Sequence, residues 1–335
     1  MKQAQVLHAP PDIRAANSYP LRNQYGFFER VGQDYEKHLK ETSVSAARIG
    51  MIGIGQLGLP IATNLMAAGF SVVGFRRTDR AEFVARGGVA MDEPAEVVKA
   101  CDVLLLCLPS QNAQLEILDG PGGVLASLSP GQTVIELGTY SREFKITQAE
   151  RIRQTGAKVL EVEVSGTPII VEQRKAALFI GGEEDVLASV KPVLDAISSV
   201  HFHIGELGSA VNMKLIANYL LTIHTLAAAE AINMGARAGF NPHRVVEIIK
   251  QSAGSSAMFA IRGPMMASRT FSPAPGPFCT LEKYLTMADD LASNLGCATP
   301  LFSTAKRYFE KALTDGIGGE DIAAVIKLIE AESTH

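Results

Sequence analysis

Residues 49–66 read IGMIGIGQLGLPIATNLM. A short β-rich run passes into Gly53, Gly55 and Gly58, separated by Ile54, Gln56 and Leu57, and then into a stretch that suits a helix. In a G-x-G-x-x-G turn the first glycine permits a tight bend, and the second lets the backbone approach a pyrophosphate. The third lets the helix pack close to the strand, with phosphate at the helix N-terminus. The bare motif is common, but here the next β-rich run, SVVGF at 71–75, stands where a mononucleotide-binding unit needs its second strand.

Outward from that stretch, residues 47–203 alternate short apolar runs with amphipathic segments. The runs are RIGMIGIG, SVVGF, VLLLCLP, TVIELG, AKVLEVEV and ALFIGG. This alternation predicts βαβ units and a mainly parallel sheet, with strands apolar on both faces. From Ser209 onward the period becomes helical: about 30 residues of good helix formers run to Gly239 and Asn241-Pro242, which supply a stop signal. Further helices are predicted near 243–252, 279–296, 301–314 and 320–332, with the Pro/Gly-rich FSPAPGP at 271–277 as a loop. The expected fold class is therefore α/β, a Rossmann-type parallel-sheet domain over 46–208 followed by an all-helical domain over 209–335. A long interdomain helix joins the two. Residues 1–45 read as an extension, with one short helix possible over 34–42.

Thirty-one basic against 35 acidic residues, a formal charge of -4, give no electrostatic reason to expect nucleic acid or an anionic membrane as partner. A small-molecule substrate fits better. The polar residues Asn218, Thr222, His224 and Thr225 argue against a membrane span within 215–230, and Pro10, Pro11, Asp12 and Arg14 interrupt any secretory signal core, so the expectation is a cytoplasmic protein. The cysteines at 101, 107, 279 and 297 form no CxxC pair, and neither a disulfide framework nor a structural zinc site is expected. His201, His203 and His224 lack companion ligands for a metal and read as surface or satisfied core residues.

At the end of the second β-rich run, where an NAD enzyme usually carries an acidic residue for the ribose hydroxyls, this chain has Arg76-Arg77-Thr78. Two guanidinium groups and a hydroxyl suit a ribose 2′-phosphate, so NADP is the expected cofactor. The competing reading is a pair of solvated surface arginines. On the long helix, Lys214 and Asn218 stand four residues apart and emerge on one face. A lysine drawn into a partly apolar site is a candidate general acid and base.

Four motifs together resemble the β-hydroxyacid dehydrogenase family: GIGQLGLPIATNL at 53–65, EVEVSGTP at 161–168, GSAVNMKLIAN at 208–218 and Lys283 in LEKYL. The resemblance runs from about residue 47 to 330. It implies that Ser165, Gly166 and Thr167 hold a substrate carboxylate, that Lys214 transfers the proton and that Asn218 orients the substrate. By the same resemblance Gly53, Gly55, Gln56, Leu57, Gly58, Leu108, Pro109, Thr139 and Lys283 contact the cofactor, with Asn112 and Gln114 nearby. A turn of backbone N–H groups and hydroxyls can cradle a carboxylate, and an ammonium beside the reacting oxygen stabilises developing alkoxide charge. The long helix also implies a homodimer or a dimer of dimers.

Several positions depart from the family pattern: Thr167 for a second glycine, Ala217 for the first of two asparagines and Gly138 for a common serine. Tyr284 stands where Asp normally follows the lysine, and Glu163 where proline is common. These changes cluster on the substrate side. The expected activity is NADP-dependent interconversion of a small β-hydroxy acid with its semialdehyde or keto acid. An imine reductase of the same architecture, which would usually lack the lysine, and a catalytically silent NADP-binding scaffold are the alternatives.

Overall fold

In the computed structural model the described residues are 47–333. The N-terminal extension and the helix expected over 34–42 lie outside them. Eight strands form one sheet: β1 (Ile49–Ile52), β2 (Val72–Phe75), β3 (Val89–Ala90), β4 (Val103–Leu106), β5 (Thr133–Glu136), β6 (Lys158–Ser165), β7 (Ala177–Gly181) and β8 (Val200–Gly205). Their order is β3-β2-β1-β4-β5-β6-β7-β8. All neighbours run parallel except β6 and β7, which are antiparallel. The order reverses between β1 and β4, and a crevice opens at such a switch point beyond the strand ends.

β1 and β4 are wholly buried and apolar or glycine throughout, because helices cover both faces of the sheet. The expectation of strands apolar on both faces fails at β5 and β6. Glu136, Glu161 and Glu163 are all buried, with Glu136 and Glu161 direct neighbours in the β5–β6 register. Glu161 and Glu163, two apart, share a face. The reason is a buried cation: Lys145, from the Arg142–Arg153 helix, lies 2.5 Å from Glu163 and 3.3 Å from Glu161.

The long helix spans Ser209–Arg237. Val211, Lys214, Leu215, Asn218, Thr222, Leu226, Ala229 and Ile232 are buried at three- and four-residue spacing, forming one continuous inward stripe. Helices Pro242–Ile249, Phe278–Asn294, Pro300–Thr314 and Ile326–Glu332 answer to the expected helices, the last preceded by a 3₁₀ turn at Ile322–Val325. A helix at Ala257–Ser268 was not expected from the sequence. Around the long helix, Tyr219 stacks on Phe302 at 4.7 Å between centroids, and Phe278 meets Phe309 edge-on at 5.2 Å. Among the described residues the Ser209–Arg237 helix is the one long and apolar enough to cross a membrane by composition, and its stripe packs into this core.

Candidate active site

The glycine turn is built by exclusion. Gly53 has φ +99°, and a Cβ there would meet the Cys107 carbonyl oxygen at 2.1 Å; a Cβ on Gly58 would meet the Gly53 carbonyl oxygen at 2.0 Å. The protein itself therefore requires both glycines. Gly55 differs, because a Cβ on it would meet nothing within 4 Å. Its lack of a side chain serves something outside the fold, as expected where a backbone must approach a dinucleotide pyrophosphate. Gly55→Val is accordingly expected to leave the thermal midpoint within a few degrees of wild type while abolishing binding of reduced nicotinamide dinucleotide, NADH or NADPH, in a fluorescence titration; retained binding would show that no pyrophosphate passes there.

The turn opens into a cavity of about 780 Å³. Gly53, Gly55, Gln56, Leu57, Gly58, Arg76, Arg77, Thr78, Leu108, Pro109, Thr139 and Lys283 all line it. The volume is within the range of small-molecule and cofactor sites. The arginines stand beyond β2, on the far side of the glycine turn. Arg77 pairs with Glu116 at 2.8 Å, but both side chains are about 60% exposed, so this pair contributes little and leaves the guanidinium available. The Tyr140 hydroxyl donates to the Leu108 carbonyl (2.9 Å) within the sheet half, and Lys283 Nζ donates to the Pro109 carbonyl (3.3 Å), tying the helical half to the strand ends. Asn112 and Gln114 do not line the cavity: Gln114 turns inward and donates to the Glu136 carboxylate.

Lys214, Asn218, Ser165, Gly166 and Thr167 lie outside the cavity lining. Of these, Lys214 reaches the start of the 165–167 turn. Lys214 Nζ donates to the Val164 carbonyl at 2.7 Å, next to the Ser165 turn, and Val164 is itself a cavity wall. Thr167 stands at the N-cap position of the short Pro168–Glu172 helix without a side-chain capping bond, so the 165–167 backbone runs directly from β6 into that helix. Asn218, one turn beyond Lys214 and buried, makes no side-chain hydrogen bond to any described residue. The Tyr284 ring stands between the two zones: it lines the cavity, and its centroid is 5.9 Å from Lys214 Nζ and 5.1 Å from Lys283 Nζ.

Burial lowers the Lys214 pKa to about 8, opposed by the Glu163 carboxylate and reinforced by the Lys283 ammonium. Burial likewise lowers Lys283 and raises the Tyr284 hydroxyl. At the cavity wall the Cys107 thiol is pushed up to about 12 by burial, which keeps it an unreactive thiol. His201 bonds Asp195 and His203 bonds the Gly182 carbonyl, both away from this region.

The buried cluster behind the cavity is the part that sequence reasoning missed. Glu163 accepts from Thr139 Oγ1 (2.5 Å) and from Lys145 (2.5 Å). Glu161 accepts from the backbone N–H groups of Gly208 (2.6 Å), Val211 (2.9 Å) and Ala210 (3.4 Å), so a strand carboxylate caps the helix that carries Lys214. Glu163 was visible in the sequence only as a departure from proline.

Comparison with known proteins agrees with this architecture. Residues 48–205 match a family model described as the NAD-binding domain of 6-phosphogluconate dehydrogenase, and residues 208–329 one described as the NAD-binding domain of NADP-dependent 3-hydroxyisobutyrate dehydrogenase. The chain is 32% identical to L-threonate dehydrogenase of Cupriavidus necator over 84% of its own length and 95% of that protein. It is 28% identical to glyoxylate/succinic semialdehyde reductase 2 of Arabidopsis thaliana, over 86% and 80% of the two chains. Among solved structures, 3-hydroxyisobutyrate dehydrogenase from Salmonella typhimurium superposes with a TM-score of 0.76 at 28% identity, covering 84% of this chain and 99% of that one. With a glycine turn at a sheet switch point and family models that match residues 48–205 and 208–329, this chain belongs to the β-hydroxyacid dehydrogenase family and is an NAD(P)-dependent oxidoreductase acting on a CH–OH group.

Proposed function

We propose that this enzyme interconverts a small β-hydroxy acid and the corresponding semialdehyde or keto acid, with NADP as cofactor and Lys214 as general acid and base. The observation that carries the proposal is the buried Lys214 amine. It lies against the wall of the cofactor-sized cavity, bonded to the Val164 carbonyl at 2.7 Å, and its pKa of about 8 lies within the working range of an acid–base group. The nicotinamide, when bound, supplies or accepts the hydride. The Ser165-Gly166-Thr167 turn next to that carbonyl receives the substrate carboxylate, and the unengaged Asn218 amide orients the substrate's oxygen. In reduction Lys214 Nζ gives its proton to the carbonyl oxygen; in oxidation it takes the hydroxyl proton back. The proton-donating form predominates below about pH 8, so reduction is favoured on that side and oxidation above it.

Incubating the protein with NADPH and a panel of small semialdehydes, keto acids and cyclic imines, while following loss of reduced-cofactor absorbance, tests this reading. Turnover of imines alone refutes it. For the cofactor, the support is that Arg76, Arg77 and Thr78 line the cavity, whereas Asp79, which follows them, and Glu116, which pairs with Arg77, do not. Arg76→Asp combined with Arg77→Ala is expected to weaken NADPH binding far more than NADH binding; equal weakening of both would mean that the arginines do not read the 2′-phosphate. We also propose that the enzyme works in the cytoplasm as a homodimer; the support for the dimer is Ile216 (49%) and Leu220 (45%), apolar side chains left exposed four residues apart on the long helix.

A further inference from the structure

We propose that Glu163, clamped by Lys145 and Thr139, is the fixed counter-charge of the two active-site amines, Lys214 and Lys283. The carboxylate is held at both oxygens: Oε1 lies 2.5 Å from Lys145 Nζ, and Oε2 accepts from Thr139 Oγ1 at 2.5 Å. It directly precedes Val164, whose carbonyl takes the Lys214 hydrogen bond. Thr139 itself lines the cavity, as does Tyr284, the ring that lies against both Lys214 and Lys283. One clamp therefore reaches from the buried ion pair to the cavity wall.

The charge count explains why a counter-charge remains for the amines. Lys145 faces two carboxylates, Glu161 at 3.3 Å and Glu163 at 2.5 Å, so one negative charge is left over within the cluster. Glu161 already engages the N-terminus of the long helix through Gly208, Ala210 and Val211. Glu136, on β5, is pushed up to about 7 by burial and carries only part of a charge near neutrality. The groups acting on Lys214 are then Glu163 from β6, which holds the proton on, and Lys283 from the Phe278–Asn294 helix, which drives it off; Tyr284 of that same helix adds its ring face. Burial is the larger influence, and without Glu163 it is opposed by nothing else of comparable size.

Glu163 thus acts through Lys214 as a positioning residue, and the proposal rests on the reading of Lys214 as proton donor. The test separates the two by titrating Lys214 without turnover. In full-length protein labelled with ¹⁵N-lysine, the Lys214 amine is assigned by its loss in Lys214→Ala and its midpoint is followed by NMR. Glu163→Gln is expected to lower that midpoint by at least about one pH unit, and to shift the alkaline limb of kcat for semialdehyde reduction downward by the same amount, while Glu163→Asp restores both. Where Glu163→Gln fails to fold, Glu163→Ala, which leaves the Lys145–Glu161 pair in place, carries the same expectation. An unchanged Lys214 midpoint in either folded variant overturns the proposal, since a merely structural Glu163 would lower only thermal stability. Full activity in Lys214→Ala would instead refute the proton-donor reading and leave the titration result standing.

Discussion

Lys214→Ala is expected to lower kcat for reduction of a small semialdehyde by roughly 10²- to 10⁴-fold, the usual contribution of a general acid–base group, with NADPH affinity unchanged. The separation of the two effects follows from geometry. Lys214 lies outside the lining of the dinucleotide cavity and reaches it only through the Val164 carbonyl and the Tyr284 ring. Its loss removes a proton at the reacting oxygen without removing a wall of the cofactor site. In the wild type, kcat for reduction should fall as pH rises through about 8, where the amine gives up its proton, and kcat for oxidation should rise over the same interval. Stopped-flow traces and pH profiles of both directions check this. An activity in Lys214→Ala equal to wild type, or a profile flat across that interval, would remove the amine from the chemistry.

The second large effect is on stability. Lys145 is fully enclosed; burial lowers its pKa, but the carboxylates of Glu163, Glu161 and Glu136 outweigh that and hold it above the ordinary lysine value. Lys145→Met fills the space but leaves these carboxylates without their cation, and removing one partner of a buried pair typically costs about 3–5 kcal/mol. Urea denaturation should show a loss of that size at neutral pH. The sign of its pH dependence is fixed. Acid lets the stranded carboxylates take up protons and become neutral, while the wild type loses its ion pair, so the gap between the two should narrow as pH falls. A variant within half a kcal/mol of wild type (~0.5, the usual range for surface substitutions) would mean the cluster is not held together by charge.

Much of this molecule can be read from local sequence, because its signals are periodic or short-range. The glycine turn with a strand before it and a helix after it, the two-sided apolar run of β4 and the three- and four-residue spacing of the long helix each depend on residues within a few positions of one another. The Glu136, Glu161, Glu163 and Lys145 cluster does not. In isolation EVEVS at 161–165 reads as an alternating strand with a solvated face, and only a lysine from a preceding helix, packed on that face, makes the charges interior. The Ala257–Ser268 helix escaped for a different reason. Gly263 and Pro264 sit inside it and signal a break, yet Gly263 lies where a Cβ would come within 3.3 Å of Val246, so tertiary packing of neighbouring helices prevails over propensity. Ser256, whose hydroxyl accepts from Phe259 N–H at 3.0 Å, was the available start signal.

The long helix is fastened to β6 at two points: through the Glu161 carboxylate at its first turn and through the Lys214–Val164 bond one turn further on. Cys279, Thr280 and Glu282 reach the cavity from a different helix and share neither fastening. For anyone reshaping this scaffold toward bulkier substrates, that division of labour is useful: mutational libraries confined to those three positions would vary the contour of the pocket while Lys214, the proposed proton donor, keeps its address on the sheet.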